Sequence, residues 1–182
     1  MKKIISISIF MLAVSVGIAQ KSSREFDTTR NNEIRISLTN AIAGLPEINY
    51  ERILEDNMSM GIAASVSLES PENMIMRWQV IPHYRLYFGK KRATGFFIEG
   101  NMAIIGQRDK YSVARYSGMF DSVYYSNYDD RSISVGFGAA IGVKLTTRNN
   151  FVGEIFAGGG RLFGNALTDG YARVGILLGK RF

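Results

Sequence analysis

The sequence predicts an all-β fold, and three observations lead to that prediction. The chain has 182 residues with 19 Gly and only 3 Pro, and aromatic residues make up 12% of it, a composition that favours strands. Several segments alternate apolar and polar residues with a period of two. One of these segments, residues 132–145, is much longer than a typical soluble strand of about 5–6 residues. Together they predict an eight-stranded antiparallel up-and-down transmembrane β-barrel over residues 33–182.

The segment from Ser132 to Leu145 shows the alternation most clearly. Strands that cross a membrane need about 9–11 residues and turn alternate side chains towards lipid and lumen. The predicted lumen face carries small residues and Lys144. The predicted lipid face carries seven apolar residues in succession: Ile133, Val135, Phe137, Ala139, Ile141, Val143 and Leu145.

Seven further segments complete the predicted barrel. An even number of strands returns the C-terminus to the side on which the first strand began. Short connections follow the second, fourth and sixth strands and longer ones follow the fifth and seventh, as expected for periplasmic turns and outer loops; the short connection near Gly44 follows this rule only in part. The predicted strands are 33–43, 46–55, 58–68, 75–88, 94–105, 131–146, 150–160 and 170–182.

The N-terminal residues predict a secretory signal peptide over residues 1–19. A basic start at Lys2 and Lys3 precedes the apolar run 4–16, and small residues at Gly17 and Ala19 predict cleavage before Gln20. The alternative, an uncleaved membrane helix, would need about 18 apolar residues, and the run 4–16 is shorter than that. We therefore expect export to the outer membrane of a Gram-negative cell, with residues 20–32 as a short lead-in to the barrel.

Composition argues against several kinds of chemistry. The chain contains no Cys and one His, so it predicts no disulfide, metal site or cofactor. The formal net charge of +6 falls to +4 once the signal peptide is removed, and the longest basic run is Lys90-Lys91-Arg92. Nucleic-acid binding is therefore not expected.

Charged residues on the lumen faces predict an internal network. An eight-stranded barrel is just wide enough to be filled by side chains, and buried charges are costly unless they are paired. We expect the glutamates to be shared among the basic residues, and Gly136, Gly138 and Gly142 to leave room for arginine side chains. A conducting path or an anion site lined by the same charges is the alternative. The predicted network comprises Arg35, Glu51, Arg77, Arg85, Glu99, Lys144, Glu154 and Arg173.

The single histidine does not predict catalysis. A barrel enzyme that modifies lipids would need a positioned Ser and an acidic partner beside its base, whereas Tyr84 and Arg85 follow His83. The register also places His83 in mid-strand and facing inward. We interpret it as an interior histidine and expect no enzymatic activity.

The segment 106–131 is the predicted recognition surface. It is interpreted as an external loop, in which tyrosines among small polar residues suit binding of an extracellular ligand. An extension of the fifth and sixth strands above the membrane is the alternative. The aromatic residues concerned are Tyr111, Tyr116, Phe120, Tyr124, Tyr125 and Tyr128.

Strand ends carry two further signals. Aromatic residues near turns predict an interfacial girdle, with candidates Tyr50, Tyr87, Phe88, Phe96, Phe151 and Phe182. The last strand ends in Phe182, which resembles the C-terminal signal that barrel-assembly machinery recognises, although Lys180 departs from the usual apolar residue.

Three segments carry a resemblance to a known group of proteins: Leu45 to Arg52, Pro82 to Phe88 and Gly95 to Gly100. With the export signal and terminal Phe, the chain resembles the small outer-membrane barrels grouped as OmpA/OmpX/OmpW-like. That resemblance implies contact with outer-membrane lipid and with the assembly machinery, but no catalytic residue. The leading hypothesis is a non-enzymatic barrel with a structural or surface-interaction role. The alternatives are a lipid-modifying enzyme, a narrow pore or small-molecule-binding barrel, and a soluble lipocalin-type barrel, whose faces would be reversed.

Overall fold

The computed structural model describes residues 30–70, 74–117, 122–164 and 167–182, with the backbone alone between 111 and 127. The predicted signal peptide therefore lies outside the described residues. Eight antiparallel strands, each paired with its neighbours in chain order, form one closed barrel, which confirms the predicted fold class. The strands are β1 (Asn32–Ser37), β2 (Glu47–Glu55), β3 (Met58–Val66), β4 (Met76–Tyr87), β5 (Gly95–Ser117), β6 (Ser122–Thr146), β7 (Phe151–Phe163) and β8 (Gly170–Arg181).

The first strand is shorter than predicted because a helix interrupts it. The Oγ atom of Ser37 accepts a hydrogen bond from the Asn40 backbone N–H, 3.3 Å away, and so caps the helix α1 (Leu38–Ile42). Gly44, with a φ of 77°, turns the chain after this helix. The predicted strand 33–43 is therefore wrong beyond Ser37.

The fifth and sixth strands are longer than predicted. They form a continuous ladder from the Gly95–Lys144 pair to the Ser117–Ser122 pair, so most of the segment 106–131 continues the two strands, which confirms the alternative of a strand extension. Gly118 is the single Gly or Pro between 107 and 131, and the segment is rich in Tyr, Val and Ser. Strand-favouring side chains and few turn residues explain why the pairing continues.

The two ends of the barrel differ in height. At one end, called here the turn end, the chain closes on itself through mutual backbone hydrogen bonds of 3.0 and 2.8 Å between Asn32 and Phe182. The short connections 56–57, 88–94 and 147–150 lie at this end. The opposite end, called here the hairpin end, carries α1, the connections after β3 and β7, and the tall β5–β6 hairpin.

The outer wall is apolar across the middle of the barrel. Outward side chains such as Ile133, Phe137 and Leu145 are 69%, 61% and 66% exposed. On β5 the outward positions from Phe96 to Gly106 carry no charge. This run spans about 33 Å of strand, or about 25 Å along the axis at a tilt of about 40°, which is the height of a transmembrane barrel's apolar band.

Charged and aromatic residues mark the edges of this band. Outward Arg52 and Lys180 lie towards the turn end and Arg161 towards the hairpin end. Five of the six predicted girdle residues are exposed, but Tyr87 is buried, because it shares the inward face of β4 with Arg85. No helix in the described part of the chain is long and apolar enough to cross a membrane.

Candidate functional site

The barrel interior is filled by charged side chains that balance in number. Among the described residues, five acidic and five basic side chains are buried inside it. Seven of the eight predicted lumen charges belong to this set. Arg77 does not: it lies half-buried at the hairpin end, where its Nη1 atom donates to Ser67 Oγ at 3.4 Å and to the Glu69 carbonyl. The buried set is Glu33, Arg35, Glu47, Glu51, Arg85, Glu99, Lys144, Glu154, Arg173 and Arg181.

Three of these charges were not predicted, namely Glu33, Glu47 and Arg181. Each is separated by an even number of positions from a predicted inward residue on the same strand, and therefore shares its face. Glu33 faces inward with Arg35, and Arg181 with Arg173. The sequence signal was present, and extending each alternation to the strand ends would have found them.

Glu51 is the most connected carboxylate of the cluster. Its Oε2 atom accepts hydrogen bonds from Arg35 and from Arg85 Nη1, the latter at 2.7 Å. Its Oε1 atom accepts from Lys144 Nζ at 2.5 Å and from the Tyr87 hydroxyl at 2.6 Å. A single carboxylate from β2 thereby connects β1, β4 and β6 across the lumen.

The remaining acidic residues extend the network in both directions. Glu99 accepts from Arg85 Nε at 2.8 Å and from Arg173 Nε at 3.1 Å, and Arg173 reaches Glu47 at 3.2 Å. Towards the turn end, Glu33 accepts from Lys144 at 3.0 Å and from Arg181 Nε at 2.8 Å. Each cation of the cluster thus meets at least one carboxylate, the arrangement that buried charges require.

Aromatic rings complete the surroundings of the cations. The guanidinium of Arg85 lies 4.5 Å from the Phe97 ring centroid, and Arg173 lies 4.7 Å from that of Phe156. The Lys144 ammonium is 4.5 Å from the Tyr87 ring centroid. These distances are within the range of attractive cation–π contacts.

Two apolar clusters fill the rest of the lumen. On β4 the inward order from the hairpin end is Ile81, His83, Arg85 and Tyr87, so on this strand charge lies between apolar side chains. One cluster lies towards the hairpin end and contains Ile81, Ala63, Ala103, Ile105, Leu162 and Tyr171. The other is intermixed with the charged side chains and contains Ile53, Tyr87, Ala93, Phe97, Ala140, Phe156 and Leu177.

Three glycines of β6 face large leucine, tyrosine and phenylalanine side chains. A Cβ at Gly138 would meet the Tyr171 hydroxyl, and one at Gly142 would meet Phe156 and Phe97. A Cβ at Gly136 would meet Leu162. The prediction that these three glycines accommodate arginine side chains is therefore wrong, because side chains of the two apolar clusters are nearest to them.

His83 is part of the packed interior. It is 5% exposed, its Nδ1 atom lies 3.2 Å from the Ile81 carbonyl oxygen, and its Nε2 atom lies 3.9 Å from Glu51. Among the residues that the structure describes, no group of three His, Asp or Glu side chains could hold a metal ion.

The predicted recognition residues belong to the β5–β6 hairpin. The backbone pairs Tyr111 with Tyr128 and places Tyr116, Tyr124 and Tyr125 within the same ladder. Phe120 lies outside the described residues. Their role in recognition stays a prediction, as does that of Phe182, whose side chain is 49% exposed at the turn end.

The fold and interior together define a class of protein: a small closed antiparallel barrel with an apolar outer wall and an ion-paired, side-chain-filled lumen. No family model matches the chain, and no curated protein sequence matches it. Among solved structures, it is similar to the N-terminal β-barrel domain of Pseudomonas aeruginosa OprF. The two are 14% identical, with a TM-score of 0.49, over 84% of this chain and 98% of that one.

Proposed function

We propose that this chain is a non-enzymatic outer-membrane β-barrel that acts through its wall and its external hairpin, and whose lumen does not conduct. The carrying observation is the balanced charge cluster, which together with two apolar clusters fills the lumen. Both the ion pairs and the rings occupy the cross-section through which water or ions would have to pass.

The apolar band supports the membrane assignment. Strands in a bilayer must pair every backbone polar group internally, and a closed barrel does so. A soluble barrel of lipocalin type would carry apolar residues inside and polar residues outside. Within the described ranges, ten charged side chains are buried in the interior and the wall exposes Ile, Val, Leu and Phe, which is the reverse arrangement.

The unequal ends support an orientation. Outer-membrane barrels have short periplasmic turns and taller extracellular segments. In this orientation the turn end faces the periplasm, and the β5–β6 hairpin extends beyond the outer leaflet. The tyrosines of that hairpin then provide the surface for a structural or recognition role.

Single-channel recording tests the closed lumen. The purified protein is inserted into planar bilayers, and Gly100→Ala, which changes only the outer wall, is recorded as a matched control. We expect an electrically silent bilayer for both proteins. Resistance to added protease verifies independently that each protein has inserted. Steady ion-selective openings in the inserted protein would contradict the proposal and favour the narrow-pore alternative.

A further inference from the structure

A cleft of about 400 Å³ opens at the hairpin end on the side of the barrel formed by β4, β5 and β6. It does not involve the buried charge cluster. Three arginines and one tryptophan contribute to its lining, together with the apolar edge of the wall: Arg77, Trp78, Gly106, Arg108, Arg131 and Ile133.

The arginines of this cleft carry more positive charge than their carboxylate partner offsets. Arg108 and Arg131 are directly opposite each other across the β5–β6 ladder, an unfavourable arrangement for like charges. Asp129 bonds Arg108 at 2.8 and 2.6 Å and lies 3.4 Å from Arg131, so one carboxylate serves two guanidinium groups. Lys110 is opposite Asp129 and adds another cation.

Arg77 adds a further positive charge to the cleft. Its hydrogen bonds go to neutral oxygens of Ser67 and Glu69, and no described carboxylate forms an ion pair with it. The side chain of Arg131 is 67% exposed and that of Arg108 is 28% exposed. The cationic groups are therefore accessible from outside the barrel.

The floor of the cleft belongs to the apolar band. Gly106 and Ile133 are paired on the outward face, directly below the Arg108–Arg131 pair. The indole of Trp78 lies against Gly106, where a Cβ would collide with its nitrogen. Tryptophan is favoured at the level of lipid headgroups, so the cleft spans the boundary between the apolar band and the charged region above it.

We propose that this cleft binds the phosphate group of an outer-leaflet glycolipid, with acyl chains against the apolar band. This inference rests on the proposed membrane function and orientation. Arginine forks bind phosphate oxygens in pairs, which would relieve the repulsion between Arg108 and Arg131. Because the cleft opens onto the apolar wall, a lipid can place its phosphate at the arginines and its acyl chains against the apolar band at once. A free phosphate ion contacts only the arginines.

The single tryptophan of the chain provides the readout, because Trp78 lines the cleft. The barrel is inserted into phosphatidylcholine nanodiscs with increasing fractions of diphosphoryl lipid A, and Trp78 emission is followed. We expect a saturable change whose midpoint rises about tenfold for Arg131→Gln, since one charge-assisted contact is lost, and further for Arg108→Gln/Arg131→Gln. Arg52→Gln, an outward arginine near the turn end, serves as the matched control and keeps the wild-type midpoint.

Two comparisons distinguish the source of the phosphate. Dephosphorylated lipid A, and millimolar inorganic phosphate in discs without lipid A, should each give no saturable change. A response to either one, or an unchanged midpoint in Arg131→Gln, overturns the lipid-phosphate site. A protein that fails to enter the discs contradicts the membrane assignment itself and this inference with it. An inserted protein that ignores the phosphorylated lipid contradicts this inference alone.

Discussion

Arg35 and Arg85 share two acceptors: both guanidinium groups donate to Glu51 Oε2 and to Glu154 Oε2. The two arginines come from β1 and β4, and the two glutamates come from β2 and β7. This four-residue arrangement crosses the lumen and connects β1, β2, β4 and β7, of which only β1 and β2 are neighbours in the sheet. Removing one member would leave the others buried with unbalanced charge.

Replacement of Glu51 by Gln should destabilise the barrel strongly. The amide cannot neutralise Arg35, Arg85 and Lys144, and breaking a buried ion pair from one side costs about 3–5 kcal/mol. Urea unfolding in lipid vesicles, followed by tryptophan emission, measures the change. Glu55→Gln, an exposed residue at the end of the same strand, is the control and should shift stability by less than about 0.5 kcal/mol. Equal effects of the two substitutions would contradict the role given to the cluster.

A second substitution should partly compensate for the first. Lys144→Met removes the ammonium that donates to Glu51 at 2.5 Å, so the double variant Lys144→Met/Glu51→Gln loses one charge of each sign. We expect its destabilisation to be smaller than the sum of the single effects by about 0.5–3 kcal/mol, as for residues in one network. Strict additivity in the same urea experiment would show that the two groups are not coupled.

Gly138 should not tolerate a side chain. A Cβ there would lie against the Tyr171 hydroxyl and the backbone of β7, so Gly138→Ala is expected to cost about 1–3 kcal/mol through overpacking. Gly100→Ala is the matched control, because the outward Gly100 has nothing within 4 Å of the added carbon. A drop in thermal unfolding temperature for Gly138→Ala alone is the expected result, and comparable drops for both would contradict the packing described.

The contact between Arg108 and Asp129 should depend on pH. Hydrogen bonding from Arg108 holds the pKa of the Asp129 carboxyl well below its usual value. The pKa of Asp129 is lowered in the folded state. The contribution of the pair to folding stability is therefore fully present above the ordinary pKa of about 3.9, and it is lost as the pH falls through the folded-state pKa. The Arg108 Nε–H resonance, followed by NMR, should stay constant down to about pH 4 and change only in stronger acid.

Asp129→Asn provides the comparison for that titration. The amide accepts less strongly and carries no charge, so the Arg108 resonance should be shifted at neutral pH and insensitive to acid. A wild-type resonance that already moves above about pH 5 would mean that the carboxylate is not held by Arg108.

Much of the barrel could be predicted from the alternation of inward and outward side chains along each strand. The alternation of β6 predicted which of its residues face outward, and the same alternation on β1, β4 and β7 placed Arg35, Arg85 and Glu154 in the lumen. The helix at Leu38–Ile42 was missed because the apolar alternation of β1 continues to Leu38, and only the local cap at Ser37 ends the strand. The long hairpin was one of two alternatives for residues 106–131, because the polar residues of this segment favour a loop whereas its strand-favouring residues favour an extension of the fifth and sixth strands.

The alternation along each strand could not predict which charged side chains form ion pairs across the lumen. Which glutamate meets Arg85 depends on how far the strands are staggered around the closed barrel, and no local pattern encodes that stagger. The Arg108–Arg131 pair depends in the same way on the register between β5 and β6. These relations needed the three-dimensional structure.

Spin-label accessibility along β6 tests the membrane-embedded barrel most directly. Single nitroxide labels replace each odd-numbered residue from Ile133 to Leu145 in lipid vesicles, and collision with oxygen and with a water-soluble nickel complex is measured. The account predicts high oxygen and low nickel accessibility at all of these outward positions, with the lowest nickel accessibility near Ala139. High nickel accessibility at these positions would contradict the apolar wall facing lipid.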